Sequence, residues 1–340
     1  MDRCVGLAHA DPHLQPLRAA STGAGILGDR IARRQQPAVQ PRATGIHHLR
    51  RGRVAGRLRD DRELAQGGEV RAFQGHGQSL PKGRGRRAKT VSRLGGVDAS
   101  AVADLLEDEL RAAGTPERAV GEKRYLKSDL EFVGTSVWEN RRVVQAFVRG
   151  QPPLTHDELV ALAGALWAKP LFDRRMAAVL LLELHPRLLS PADLPLIERL
   201  LRESLTWALV DGLAGDVTGG ILGRFPAEVT PVLDRWSTDP DFWIRRSSLL
   251  AELQPVRAGA DLAPFLRRAD AMLDEKEFFI RKAIGWVLRE IGKKRSAEVV
   301  AWLAPRTHRA SGVAMKEAVK YLPRADHERL MAAYREKRQA

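Results

Sequence analysis

The sequence predicts an all-α protein: an α-solenoid, or superhelix, of two-helix repeats, preceded by a basic N-terminal segment. Three observations carry the prediction. From about Val97 onward, amphipathic runs rich in Leu, Ala and Glu follow one another with helix punctuation between them. No segment in that region sustains the apolar-polar alternation of a strand. Five of the runs align on one position, Phe172, Trp207, Trp243, Phe279 and Val313, at spacings of 35, 36, 36 and 34 residues.

Residues 1–97 read differently. They hold 19 Lys and Arg against 7 Asp and Glu, with no Trp or Tyr and one Phe, Phe73. Arg dominates over Lys, and about half of the chain's Gly falls here. Such a segment lacks the apolar surface needed to offset its ordering entropy. Three readings stay open: a nucleic-acid-binding tail centred on KGRGRRAK (82–89), a disordered extension, or a translation start placed too early. The pair His47-His48 has no spaced partners and is not read as a metal site.

Residues 98–340 then form one repeat domain. Ser136 with Glu139 and Thr155 with Glu158 fit capping boxes, and Pro191 and Pro240 suit the first turns of helices after Ser190 and Asp239. The apolar run MAAVLLLEL (176–184) is too short to span a bilayer, and the N-terminus has no apolar core like that of a signal peptide. The single cysteine, Cys4, excludes an intramolecular disulfide and a cysteine-based metal site. A cytoplasmic, monomeric protein without metal or cofactor is expected.

The formal net charge of +14 belongs almost wholly to the first 97 residues, since the remainder holds 37 Lys and Arg against 35 Asp and Glu. An anion-binding surface in the repeat domain must therefore come from local placement. Three positions after each aligned residue stand Arg175, Val210, Arg246, Lys282 and Lys316; four after stand Met176, Asp211, Ser247, Ala283 and Glu317. Seven after, the middle repeats carry Leu250 and then Trp286. These offsets share one helical stripe. It presents a cationic ladder, an acid at Asp211 in the middle repeat, and Trp207, Trp243 and Trp286 around it. Taken singly, each Trp reads as core and each cation as a solvated face; together they suit a phosphate backbone with a reactive centre between.

KRYLKSDLEFVG (123–134), WALVD (207–211), DPDFWIRR (239–246) and FFIRKAIGWVLRE (278–290) together resemble the AlkD-type alkylpurine DNA glycosylases, which are built from HEAT-like repeats. The resemblance runs from about Lys123 to Leu322. It implies a superhelix that holds duplex DNA on its concave face and hydrolyses the N-glycosidic bond of N3- and N7-alkylated purines, without a metal and without flipping the base. Carried over by position, Asp211 matches the catalytic carboxylate, Trp207 and Trp286 the aromatics packed on the lesion's deoxyribose, and Arg246 a cation at the backbone beside it. Arg175, Arg245, Lys282, Lys316 and Trp243 are the further residues expected at DNA, with core packing the alternative for Trp243. Glu131 matches a recurrent residue read as structural. Ala314-Met315 stand where the family often carries a basic pair. Two other functions remain open: a catalytically silent relative that binds damaged or structured DNA, and a helical scaffold for another protein.

Overall fold

The computed structural model describes residues 98–336; the readings offered for residues 1–97 lie outside the described residues. Among the described residues the chain is helical, and its one β-bridge joins Glu131 to Leu171. Three helices, α1 (Ala99–Ala113), α2 (Pro116–Leu126) and α3 (Val137–Arg149), precede the repeats. Five helix pairs follow. They are α4 (His156–Trp167) with α5 (Phe172–Leu184), then α6 (Leu194–Arg202) with the long helix from α7 (Trp207–Asp211) to α8 (Gly219–Arg224). Next come α9 (Pro226–Trp236) with α10 (Phe242–Leu250) and the short α11 (Leu253–Arg257), and α12 (Ala263–Ala271) with α13 (Phe278–Gly292). The last pair is α14 (Ser296–Leu303) with α15 (Gly312–Ala318), and α16 (Arg324–Glu336) closes the end.

The five aligned positions fall on the first or second residue of α5, α7, α10, α13 and α15, so the sequence period is the structural period. These second helices stack: α10 packs on α7 and α13, and α13 on α15. Being central, α5 and α13 are buried nearly all round. Phe172 to Leu182 lie inside, as do Ala283 to Gly292, and this accounts for the unbroken apolar run at 176–184. The first helices bury one stripe only. In α6 that stripe is Leu194, Ile197, Leu200 and Leu201, while Arg199 and Arg202 are exposed.

A second device keeps the period. Arg235 of α9 pairs with Glu198 of α6, Arg267 and Arg268 of α12 with Asp234 of α9, and Arg306 with Asp270 of α12. Each pair links one repeat to the next. The exposed pairs contribute little stability singly, but together they favour one register.

The capping expectations resolve unevenly. Thr155 and Glu158 form a full capping box. Ser136 accepts from the Glu139 amide, while the Glu139 carboxylate takes the Ser136 hydroxyl instead of a backbone N–H. Pro191 opens a 3₁₀ turn before α6. Pro240, in contrast, lies outside the helix: Asp241 caps α10, and Asp239 accepts from the Asp241 amide in the preceding turn. Asp241 meets the Trp243 amide at 2.8 Å, which fixes the helix start two residues later than Pro240 suggests.

Stacking of α13 on α15 depends on Gly285. A Cβ there would lie 2.7 Å from Glu317 Cβ and 2.9 Å from the Ala314 carbonyl oxygen, and backbone cannot yield. Gly285→Ala is expected to cost about 1–3 kcal/mol in urea unfolding, the usual range for overpacking; an unchanged midpoint would show that the two helices are not in this contact.

Candidate active site

The site is built on the long helix of the second pair. Thr206 caps it, and the Leu205 backbone before it is left-handed (φ 54°). From Gly212 to Thr218 the helix is a π-helix, with the Thr218 hydroxyl donating back to the Leu213 carbonyl at 2.8 Å. Such widened turns are uncommon and gather at functional sites. The glycines allow it: a Cβ on Gly212 would meet Val179 Cγ1 at 2.7 Å, and one on Gly219 the Ala251 carbonyl oxygen at 2.8 Å. In the sequence, the glycine-rich run GLAGDVTGG (212–220) marks this segment.

Asp211 is the last residue before the π segment, and it is 5% exposed. Arg246, on α10 of the next repeat, grips it with two of its three nitrogen arms: Nε donates to Oδ1 at 2.9 Å and Nη2 to Oδ2 at 3.0 Å. The third arm, Nη1, donates to the Phe279 carbonyl at 2.6 Å, and the guanidinium sits 5.7 Å from the Phe279 ring centroid. Burial pushes the Asp211 carboxyl above the usual range, while the charge and hydrogen bonds of Arg246 pull it back. Arg246 therefore stands inside the molecule as the holder of Asp211, not on the surface as a rung of the ladder.

Trp286, 2% exposed, joins Asp211 in one cleft with Gly215, Asp216, Leu253 and Arg257. Its buried indole N–H finds no acceptor among the described residues. Trp207 is half-buried one turn before Asp211, with its ring 6.1 Å from Tyr125 in an edge contact. Trp243 packs against Phe242 and Phe279 at centroid distances of 4.3 and 4.8 Å.

The other expected cations are placed variously. Arg175 is buried against Trp167, and its Nη1 donates to the Glu203 carbonyl at 2.5 Å, so it ties down the loop leading to Trp207. Arg245 is paired with Glu275 and Lys282 with Glu317. Lys316 is exposed. Glu131 acts through its backbone, which exchanges hydrogen bonds with Pro170 and Phe172. Ala314 and Met315 are buried against α13.

Sequence reasoning missed Asp216. It is five residues beyond Asp211, and its carboxyl lies close to that of Glu183 on α5. Burial first, and then the Glu183 charge, push Asp216 up to about 7, opposed by Arg257 and by the Gln254 side chain. Between about 3.8 and about 7 the folded chain holds a proton there that the unfolded chain has released. The stability this contributes is complete below that window and is lost as the pH rises through it. Asp216→Asn should abolish that dependence and melt above the wild type at pH 8, by about 2–4 °C per kcal/mol gained. Parallel melting curves at all pH values would show that the pair does not share a proton.

The description of the DNA alkylation repair enzyme family fits residues 106–322, well over half of the chain. The protein belongs to the DNA alkylation repair enzyme family. Asp211, Trp207, Arg246 and Trp286 all lie within the matched span. Among solved structures, the chain is similar to a predicted DNA alkylation repair enzyme from Enterococcus faecalis, at 21% identity and a TM-score of 0.56. That alignment covers 62% of this chain and 97% of the other, and it shows the shared helical-repeat fold. No curated protein matches the chain. Membership in the DNA alkylation repair enzyme family places the protein in DNA repair, with DNA as its partner.

Proposed function

We propose that the protein is a DNA glycosylase that hydrolyses the N-glycosidic bond of cationic N3- and N7-alkylated purines in duplex DNA, as a cytoplasmic monomer, without a metal and without flipping the base. The observation that carries the reading is the buried Asp211 carboxylate, held at both oxygens by Arg246 and sharing a cleft with Trp286.

An alkylated purine of this kind is already positively charged, so it departs as a neutral base and needs no general acid. The bond it leaves behind makes the sugar oxocarbenium-like. A carboxylate fixed in a low-dielectric site stabilises that cation more strongly than water would, and it does so without reorganising. Arg246 supplies the fixing. The ring faces of Trp207 and Trp286 add negative quadrupole beside the cation and shape for the deoxyribose. A contact of this type is worth about 2.7–4 kcal/mol of barrier. Because nothing in this scheme grips the base itself, selectivity comes from the lesion's own charge, unlike glycosylases that read a flipped base in a pocket.

The test is direct. Duplex DNA treated with a methylating agent is incubated with the protein, and free 7-methylguanine and 3-methyladenine are measured. Release well above a no-protein control is expected; release equal to that control rules the reading out.

A further inference from the structure

Resting on that reading, we propose that Asp216, which lines the same cleft as Asp211 and Trp286, is the general base of the reaction: it takes the proton of the water that attacks the deoxyribose while Asp211 stabilises the sugar cation.

Asp211 is fully engaged. Each of its oxygens already accepts from Arg246, in a bidentate pair that both favours the charged form and fixes its direction. Such a carboxylate is a good electrostatic partner, and both of its oxygens are already committed to Arg246. Hydrolysis nevertheless releases a proton from water. The water oxygen forms a bond to C1′ as the C1′–N bond breaks with its electron pair going to the base. One water proton must then leave.

Asp216 is the other carboxyl lining the same cleft. Charged and polar groups from several helices surround it. Glu183 comes from α5, and its own second tie is to Arg141, 2.7 Å away. Arg257 comes from α11 and is held at 3.0 Å by Glu290 of α13. Gln254, also of α11, donates to the Asp216 carbonyl at 3.0 Å and so sets the helix edge against it. On α6, Glu198 is occupied by Arg202 and Arg235; on α8, Arg224 turns away to the Leu189 carbonyl. Asp211, held by Arg246, lines the same cleft.

The unpartnered indole N–H of Trp286 is the second pointer to a bound oxygen. It is a buried donor in a cleft that also offers the Asp216 carboxyl as acceptor and Arg257 as donor, which is enough to seat one water. A carboxyl poised at about 7 is half-ionised at neutral pH, the condition in which a base both accepts and returns a proton efficiently. After the water proton reaches Asp216, the protonated pair releases it to solvent and is ready again.

The experiment is single-turnover release of 7-methylguanine from methylated duplex DNA, measured from pH 5.5 to 8.5. Wild-type protein should show a rate that rises through an inflection near pH 7 and then levels. Asp216→Asn, which replaces a buried acid by an amide of the same shape, should lower the plateau about 100-fold, the low end for general-base contributions. It should lose the inflection and bind the DNA within about two-fold of wild type by the same phosphate contacts. Asp216→Glu should recover part of the rate. Glu183→Gln removes the neighbouring charge and should move the inflection to lower pH. Wild-type rates in Asp216→Asn, or an equal fall at every pH with the inflection kept, overturn the proposal. Should wild-type protein release no base at all, the glycosylase reading falls and this one with it; release by wild type and by Asp216→Asn alike removes only the role of Asp216.

Discussion

Asp211→Asn is expected to abolish base release and, in addition, to destabilise the repeat domain by about 3–5 kcal/mol, the usual cost of breaking a buried ion pair on one side. The second effect follows from the geometry. Arg246 is 2% exposed and spends two of its three arms on Asp211. An asparagine keeps one acceptor but turns an NH₂ donor toward the guanidinium, leaving a buried charge with half its partners. Urea unfolding measures the loss, and release must be assayed where the variant is still folded. Pairing the change with Arg246→Met separates the two effects, because replacing both members of a buried pair by groups without charge is often nearly neutral. The double variant should regain most of the stability and none of the activity.

Arg246→Ala is the second large effect. It strands Asp211 as a buried carboxyl with no cation beside it, so burial alone acts on its pKa and drives it further up. It also removes the donor to the Phe279 carbonyl and leaves the volume of a guanidinium unfilled. A loss of about 3–5 kcal/mol is expected, together with loss of release, since a protonated Asp211 cannot stabilise a cation. The salt dependence of DNA binding should hardly change. Read from sequence, Arg246 is a phosphate contact, and its loss would flatten that dependence by about 0.9 in the log–log slope. In the structure the side chain is turned inward. A salt-slope measurement therefore distinguishes the two: a drop of that size would mean Arg246 reaches the backbone.

The repeat architecture was legible because periodicity is a property of the chain itself. The aligned aromatic and apolar residues that mark each second helix must recur wherever identical faces stack, and Phe172, Trp207, Trp243, Phe279 and Val313 sit at those helix starts. Asp211 stood out for a local reason, as a carboxylate in an otherwise apolar run, while the catalytic role proposed for it rests on the family resemblance. Three things were not legible. Offset alone cannot tell an exposed cation from one folded back onto a neighbour, so the ladder of Arg175, Arg246 and Lys282 looked open. In fact a carbonyl, Asp211 and Glu317 respectively engage those side chains. The π-helix was hidden because it depends on how closely α5 and Ala251 approach the glycines, a tertiary condition. Asp216 was passed over because its partner, Glu183, is 33 positions away on another helix, and only folding brings the two carboxyls together.

The central claim is that the Asp211 carboxylate performs the chemistry. Single-turnover release of 7-methylguanine by wild-type protein and by Asp211→Asn, both confirmed folded at the assay temperature and saturating on the same methylated duplex, tests it most directly. The account predicts release by the wild type and none above background by the variant, with DNA affinity within a few-fold. Equal release by the two proteins would contradict it.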